Sequence, residues 1–354
     1  MGGRGRRHGL QSVLLALQAV MAGASSWVAI AQWAAIAPQA LGVAGAPPSA
    51  ATFRRVLAAV DIAAVEAALT VWVTGRQARA RAARPTGTTV AEGRTVVAVD
   101  GKTLRGSKDA GGQQSKLVCV YDHAHQLVLT QTAVAAGDEV AAFTAALATL
   151  PDLSNVLVTA DALHCQRAHA HFLAARGGHY LFTVKSNQPL LRQALMRLPW
   201  AKAPGTRRRG RGHGRTESRS IKVIDLDGTD AHGLFPHARR AIKVVRRRRI
   251  GARRPSVEIV YAITSLDYRA ADPRLLADWL QGHWAIENSV HHVRDVTQRE
   301  DASRIRLGAG PQLMAALRNT ATNIARLTGH ANIAAVRLRT AWNPTAITNA
   351  LCAA

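Results

Sequence analysis

The stretch Val96-Val97-Ala98-Val99-Asp100-Gly101-Lys102 is a short apolar run that ends in a carboxylate. The run Asn155-Val156-Leu157-Val158-Thr159-Ala160-Asp161 repeats this pattern. Because a short, continuous apolar run is typical of a buried strand, each Asp is expected at the end of an element that holds its carboxylate still. A third acid, Glu287, lies on a predicted helical face. Since Mg²⁺ requires hard oxygen ligands, Asp100, Asp161 and Glu287 are predicted to form a divalent-metal site on a phosphodiester-cutting enzyme.

Composition limits the classes of protein to consider. With 354 residues, 48% of them hydrophobic, the chain is long enough for two or three domains with their own cores. Lys and Arg number 46 against 22 acids, which gives a net charge of +24. Such an excess indicates a polyanionic partner, with nucleic acid as the first candidate. The cysteines Cys119, Cys165 and Cys352 lack Cys-x-x-Cys spacing, so neither a disulfide framework nor a zinc knuckle is indicated, and a reducing cytoplasm is expected.

The first fifty residues allow a second interpretation. Arg4, Arg6 and Arg7 precede an apolar run, and no charged side chain occurs from His8 to Phe53, which is similar to a signal peptide or membrane anchor. However, polar residues interrupt the run, and prolines divide it into two short Ala-rich helices that could pack against each other. We therefore expect no membrane association.

The remaining chain divides by composition and periodicity. Residues 1–75 are predicted to be helical, 76–93 a basic linker, and 336–354 a C-terminal tail. Residues 94–335 alternate between strands and helices, which predicts an α/β core. Within that core we expect strands at 96–99, 156–159 and 180–184, a hairpin formed by 117–120 and 127–132, and helices at 140–150 and 169–176.

Residues 202–254 differ in kind because they hold 17 Lys and Arg against four acids. Interleaved β-formers predict an inserted sheet, about 202–265, with strands at 220–224, 241–245 and 257–264. Cations at this density on strands would repel one another without a counter-charge, so contact with a phosphate backbone is expected. The candidate residues are Arg207, Arg208, Arg209, Arg211 and Arg215.

One continuous helix is predicted from about Leu275 to Val296. Its buried stripe comprises Trp279, Ile286, Val290 and Val293, and an adjacent stripe carries His283, Glu287, His291 and Arg294. On this helix Glu287 could ligate metal while His283 and Arg294 hold phosphate oxygens. A surface helix with alternating charges is the simpler alternative, and a zinc site of His283, Glu287 and His291 lacks a recognised spacing.

Three blocks resemble DDE transposases of bacterial insertion sequences, in the ISAs-type or H-repeat-associated branch. They are Asp-Gly-Lys-Thr-Leu-Arg-Gly-Ser at 100–107, Thr-Ala-Asp-Ala-Leu-His-Cys-Gln at 159–166, and His-Trp-Ala-Ile-Glu-Asn-Ser-Val-His at 283–291. The likeness covers nearly the whole chain and includes residues 212–219 and 315–319. Three ordered blocks make the resemblance specific, whereas any one alone would be weak.

The resemblance implies an α/β fold of the RNase H-like type, a mixed sheet flanked by helices, with an inserted β-rich subdomain and an N-terminal all-α domain that binds DNA. It implies that Asp100, Asp161 and Glu287 bind two Mg²⁺ ions, for which Mn²⁺ can substitute. The implied reaction is strand cleavage at the terminal inverted repeats of an element, followed by attack of the freed 3′-OH on double-stranded target DNA. A homo-oligomer on DNA is also implied.

Other residues near the three acids have expected roles. Lys102 and Arg105 either hold the scissile phosphate or are ordinary loop cations. Asp295 and Asn288 are expected to support the metal site, and Asp295, Glu300 and Asp301 are expected either to support it or to form ion pairs. The sequence departs from the family at Leu280, His283 and Arg294, where Tyr, Arg and Lys are usual, and also at His292, Gln298 and residues 136–138.

Two rival classes also fit the sequence. A transposase relic would bind terminal repeats through its N-terminal helices without cutting, and a metal-dependent nicking assay separates it from the enzyme. A polybasic RNA-binding protein would carry the acids by accident. The salt dependence of binding to duplex DNA and to RNA distinguishes that class, since phosphate contacts alone show no preference for repeat sequences.

Overall fold

The computed structural model describes residues 3–36, 46–82, 93–109, 111–212, 214–251 and 254–343, together with 345 and 349. The chain divides into two compact units. We call Met1–Ala83, Gly101–Leu150 and Ala285–Ala354 the helical unit, and Arg84–Asp100 with Pro151–Trp284 the sheet unit.

The helical unit begins with four helices, as predicted for the first 75 residues. They are α1 (Gly3–Met21), α2 (Trp27–Ile36), α3 (Ala50–Ala58) and α4 (Ile62–Ala82). Ser49 caps α3 by accepting a hydrogen bond from the Thr52 backbone N–H at 3.2 Å, and Asp61 accepts from the Ala64 N–H at 3.1 Å at the start of α4. The local sequence therefore determines where both helices start.

Helix α4 runs past residue 76, where the linker was predicted to begin. Residues 76–82 are Arg, Gln and Ala, all strong helix formers, and the Gln77 amide donates to Asp122 Oδ2 at 2.6 Å. Helix propensity and this contact together continue α4 to Ala82, so the helix extends past residue 76, where the linker was predicted to start. The rest of the predicted linker, 83–92, lies outside the described residues.

The Ala-rich first helices are buried against a later helix, α9 (Gly310–Leu327). Leu15, Ile30 and Phe53 share one apolar core with Leu313 and Leu317 of α9. No single helix among the described residues is long and apolar enough to cross a membrane, and α3 and α4, which are bent by 86°, reach that length and composition only as a pair.

The rest of the helical unit surrounds α9. It contains the antiparallel hairpin β2 (Lys116–Asp122) and β3 (Val128–Ala133), and α5 (Glu139–Ala148), all close to the predicted positions. Asn323 links α9 to β3, because its side chain accepts a hydrogen bond from the Val128 N–H and donates one to the Val128 carbonyl. Helix α10 (Ile333–Trp342) includes the first part of the predicted tail, and most of the remainder lies outside the described residues.

A buried ion cluster lies inside the helical unit. Glu300 contacts Arg294 at 2.8 Å and Arg318 at 3.1 Å, and these side chains are 1 to 3% exposed. Burial by itself raises the pKa of the Glu300 carboxyl, but the two guanidinium groups lower it more, so the net pKa lies below its ordinary value of 4.5. The Gln298 amide donates to the Arg318 carbonyl at 3.0 Å and fills the adjacent space.

Among the described residues, the sheet unit holds seven strands in the order β1-β4-β5-β9-β8-β7-β6. They are β1 (Thr95–Thr103), β4 (Val156–Ala160), β5 (His179–Val184), β6 (Gly205–Gly212), β7 (Arg215–Asp225), β8 (Arg240–Ile250) and β9 (Ser256–Thr264). The strands β1, β4 and β5 are parallel, and every later pairing is antiparallel. The predicted α/β class with a mixed sheet is confirmed.

The described part of this unit also contains the helices α6 (Arg167–Ala175), α7 (Pro189–Arg197) and α8 (Pro273–His283). Leu276 and Trp279 of α8 pack on Ile221, Val223 and Ile242 of the basic strands. The predicted inserted sheet is present, but its strands are longer than predicted because pairing extends through the arginine runs. The inserted sheet is continuous with the parallel strands, because its strand β9 pairs with β5.

The helix predicted from 275 to 296 is not uniform. Helix α8 ends at His283, and Glu287–His291 and Val293–Thr297 form π-helical turns. The N–H groups of His292 and Gln298 bond carbonyls five residues earlier. Wider turns change the angular phase, so a stripe counted at 3.6 residues per turn does not persist through this segment. This change of phase explains why Arg294 points inward although it was predicted to share a face with Glu287.

Gly308 provides a test of packing in the helical unit. It has φ +54°, and a Cβ there would lie 2.4 Å from the Ala58 carbonyl oxygen. We expect Gly308→Ala to lower the free energy of unfolding by about 1–2 kcal/mol for the backbone conformation and a further ~1–3 kcal/mol for the contact. Gly329→Ala is the matched control, because φ is +82° and no atom lies within 4 Å of the added Cβ. Equal losses in urea unfolding would contradict the packing argument.

The Glu300 cluster predicts a dependence of stability on pH. Because the folded-state pKa is depressed, the carboxylate stabilises the fold above pH 4.5, and this stabilisation is lost as the pH falls below that value. We expect Glu300→Gln to cost about 3–5 kcal/mol at neutral pH, since two buried guanidinium groups lose their counter-charge, and to flatten the acid limb of the stability profile.

Arg105→Gln is the control for Glu300→Gln, because Arg105 contacts Asp301 at 3.4 Å with 76% of its side chain exposed. We expect this change to alter the unfolding free energy by no more than about 0.5 kcal/mol. Urea midpoints measured at neutral and acid pH check both variants. An acid limb as steep in Glu300→Gln as in the parent would show that other carboxyls dominate it.

Candidate catalytic site and nucleic-acid interface

Two of the three predicted metal ligands lie at one edge of the sheet unit. The strands β1 and β4 pair in parallel with Val99 opposite Ala160, and Asp100 and Asp161 are the next residues on each chain. Since parallel strands carry their carboxyl ends to the same edge, the fold brings these two acids side by side. The predicted strands at 96–99 and 156–159 are therefore confirmed, and they place both carboxylates.

The strands hold these acids rigidly because their apolar residues are fully enclosed. Val97, Ala98 and Val99 are buried, as is all of β4, whereas Asp100 and Asp161 are half-buried. Asp161 Oδ1 also accepts a hydrogen bond from the Leu163 N–H at 2.9 Å and caps a short 3₁₀ turn. A carboxylate fixed in this way loses little side-chain freedom when it binds a ligand.

Glu287 lies in the helical unit on the first π-helical turn, with 58% of its side chain exposed. Its Oε2 is 3.2 Å from His291 Nδ1, and the His291 ring is buried beneath it. Burial lowers the pKa of His291 more than the Glu287 carboxylate raises it. The exposed carboxylate is thus supported by an imidazole that favours its neutral form. Asn288 follows it on the exposed side.

Two predicted phosphate ligands have other partners in the structure. Lys102 is buried, and its ammonium lies 2.6 Å from Asp295 Oδ1. Arg294 belongs to the buried cluster with Glu300. Phosphate binding by Arg294 and Lys102 stays a prediction, which these buried ion pairs do not favour. The ion pairs predicted for Asp295 and Glu300 are present. The Arg105 guanidinium is exposed, with Asp301 as its ionic partner.

His283, at the end of α8, is held by β4. Its Nδ1 lies 3.2 Å from Thr159 Oγ1, and the Thr159 hydroxyl donates to the Val97 carbonyl at 3.1 Å. Since that hydroxyl has one proton, the ring N–H is the donor in the first contact. In the zinc alternative His283 would ligate through its other ring nitrogen, Nε2, because Nδ1 joins α8 to the sheet.

The predicted basic residues divide into two groups. Arg207, Arg209 and Arg211 are exposed along β6, and Arg215 is exposed at the start of β7. Arg208 instead forms a two-point ion pair with Asp278 of α8, and its role as a phosphate ligand stays a prediction. Arg247 and Arg249 are also exposed on β8, but they are not among the ligands predicted from the sequence. The period-two alternation of a strand was the signal that could have identified them.

Comparisons with known proteins agree with the resemblance of the three blocks. The family described as "Transposase DDE domain" matches residues 91–324, and "DDE_Tnp_1-associated" matches 2–73. "Putative transposase YncI" of Escherichia coli O157:H7 is 30% identical over 65% of this chain and 62% of its own length. "H repeat-associated putative transposase YhhI" of E. coli K12 is 30% identical over 65% of this chain and 63% of its own.

The chain thus matches less than two thirds of the length of these relatives. Among solved structures, it is similar to a piggyBac transposase in a synaptic complex with hairpin DNA, at 11% identity and a TM-score of 0.39, over 73% of this chain and 54% of that one. That likeness is too slight to carry an argument. The family match, in contrast, covers all three acids and well over half of the chain, and its DDE domain is RNase H-like. The chain therefore belongs to the DDE transposase family.

Proposed function

We propose that the protein is an insertion-sequence transposase that cuts DNA at the ends of its element and joins the freed 3′-OH to target DNA. The observation that carries this proposal is the placement of Asp100 and Asp161 at the ends of two paired parallel strands, within a family match that also includes Glu287. The rival assignments, a relic and an RNA-binding protein, have no comparable support.

Asp100, Asp161 and Glu287 are the proposed ligands of two Mg²⁺ ions, with Mn²⁺ as a substitute. Transposase DDE domains generally use divalent metals, and three carboxylates are a donor set that suits a hard cation. When bound, the metal pair would activate water and stabilise the leaving 3′ oxygen. The half-buried strand ends limit the motion of two ligands, and the His291 ring supports the third.

The remaining groups would position DNA. Arg105 has an exposed guanidinium close to the first acid in sequence, so it is the proposed contact to the scissile phosphate. Asn288 would support Glu287 from the neighbouring position, and His283 would fix the end of α8 through Thr159. We propose the terminal inverted repeats and target duplex as substrates, recognition of the repeats by the N-terminal helices, and a homo-oligomer on DNA. The proposed reaction uses no protein nucleophile.

Neutralising the three acids tests the proposal. We expect Asp100→Asn, Asp161→Asn and Glu287→Gln each to abolish strand cleavage at a terminal-repeat duplex in Mg²⁺, while binding of that duplex persists, because the amide keeps the shape but loses the charge that holds metal. The measurement is a nicking assay on labelled duplex, with binding measured in parallel.

Asp109→Asn is the matched control for these variants. Asp109 is exposed and accepts a hydrogen bond from the Gln113 N–H at 2.8 Å, which an Asn oxygen can also accept. We expect full cleavage from this variant. Cleavage that survives Asp100→Asn would refute the assigned ligands, and the absence of cleavage by the parent protein on its own repeats would favour the relic.

A further inference from the structure

The basic strands separate their charges onto two faces. In an antiparallel sheet, residues directly opposite one another point to the same side. The register places Arg211 opposite Thr216 and Arg249, Arg209 opposite Ser218 and Arg247, and Arg207 opposite Ser220 and Val245. Alternation along each strand puts these three rows on one side of the sheet. We call this side the arginine face, defined by Arg207, Arg209, Arg211, Arg247 and Arg249.

The opposite side, which we call the helix face, holds the acids of these strands. Its arginines Arg208, Arg219 and Arg246 are ion-paired, whereas Arg215 and Arg248, further along the strands, have no ion pair among the described residues. The apolar residues Ile221, Val223 and Ile242 cover the helix face where α8 packs. Beyond this apolar area, Arg219 and Arg246 share Glu217 at 2.6 and 3.0 Å. Arg208 pairs with Asp278, and Glu258 lies opposite Arg246 in the register. The acidic side chains of these paired strands therefore lie with the helix-face arginines.

The arginine face has no such compensation. All five of its arginines are exposed, and among the described residues none of them lies within ion-pairing distance of an acid. Strand geometry spaces them about 7 Å apart along β6 and β8 and about 10 Å apart across β7. Thr216, Ser218 and Ser220 place a column of hydroxyl groups between the two arginine columns. A grid of like charges at these distances attracts a polyanion and gains from its binding.

We propose that the arginine face binds the phosphodiester backbone of double-stranded DNA, an inference that rests on the proposed function for the identity of the nucleic acid. The arginines on β6 and β8 bind phosphate oxygens, and the β7 hydroxyls donate to the same backbone. These contacts position the duplex without reading its sequence. Arg208 and Arg215 take no part, because alternation turns both toward the helix face.

Two double variants that differ by one residue on each strand test this assignment. Arg209→Gln with Arg247→Gln removes two charges from the arginine face. Arg208→Gln with Arg246→Gln removes the same charge from the same two strands on the helix face, where Arg219 remains on Glu217. Both pairs are made in the Asp100→Asn protein, and binding to a short duplex of random sequence is measured in metal-free buffer over a range of salt concentrations.

We expect the arginine-face pair to reduce the slope of log K against log salt by about 1.8, at about 0.9 for each phosphate that the variant no longer neutralises, and the helix-face pair to leave the slope unchanged. Equal reductions in both pairs would overturn the proposal, because they would report net charge rather than direct binding of phosphate. An unchanged slope in the arginine-face pair would also overturn the proposal. So would a difference in slope between the two pairs that is seen with duplex RNA but not with duplex DNA.

A third variant keeps the test valid if the central pair perturbs folding. Arg211→Gln with Arg249→Gln removes the outermost row of the arginine face, where both side chains are exposed, and the same reduction in slope is expected. Thermal unfolding of each variant confirms that the fold is retained. Because binding is measured without metal, the result does not depend on which acids cut. Failure of the catalytic proposal appears only in the nicking assay.

Discussion

The parallel pairing of β1 with β4 is the constraint on which the candidate site depends. Each strand is a run of Val, Leu and Ala buried on both sides, and burial of this kind contributes roughly 1.5–3 kcal/mol for each large apolar side chain. Its consequence is geometric. With Val99 opposite Ala160, the acids that follow leave the sheet at the same edge. A shift of one residue would turn one carboxylate to the other side.

The two-residue period of the strands decides which face of the sheet each charged side chain lies on. A net charge of +24 would oppose compaction if it were spread evenly. In the long strands β7 and β8, alternation instead gives one face the acids and their arginines and leaves the other face without counter-charge. Most arginines of the face that packs on α8 are ion-paired, while the arginines of the other face keep a charge that a bound partner could neutralise. The same backbone geometry thus serves stability on one side and binding on the other.

The departures from the family pattern have a structural explanation in the helical unit. Arg294, where the resemblance leads one to expect Lys, closes a buried cluster with Glu300 and Arg318. Gln298, another departure, donates to the Arg318 carbonyl beside that cluster. A buried charge pair is costly unless every partner is present, so these residues depend on one another. The two substitutions therefore belong to one packed network and leave Glu287 on the exposed side of its turn.

The sequence by itself determined the family and most of the elements. Two apolar runs that end in Asp predicted β1 and β4, the side-chain caps at Ser49 and Asp61 are set by the local sequence, and the three ordered blocks indicated the family. These features are local, so a short window contains the information. Only the tertiary structure decided which cationic side chains are paired with an acid and which remain exposed. Lys102 and Arg294 find carboxylates far along the chain or across a π-helical turn, and Arg208 finds one on α8. Pairing, burial and register depend on residues that are distant in the sequence. The sequence around an arginine therefore does not show whether a neighbouring strand or helix supplies an acid for it.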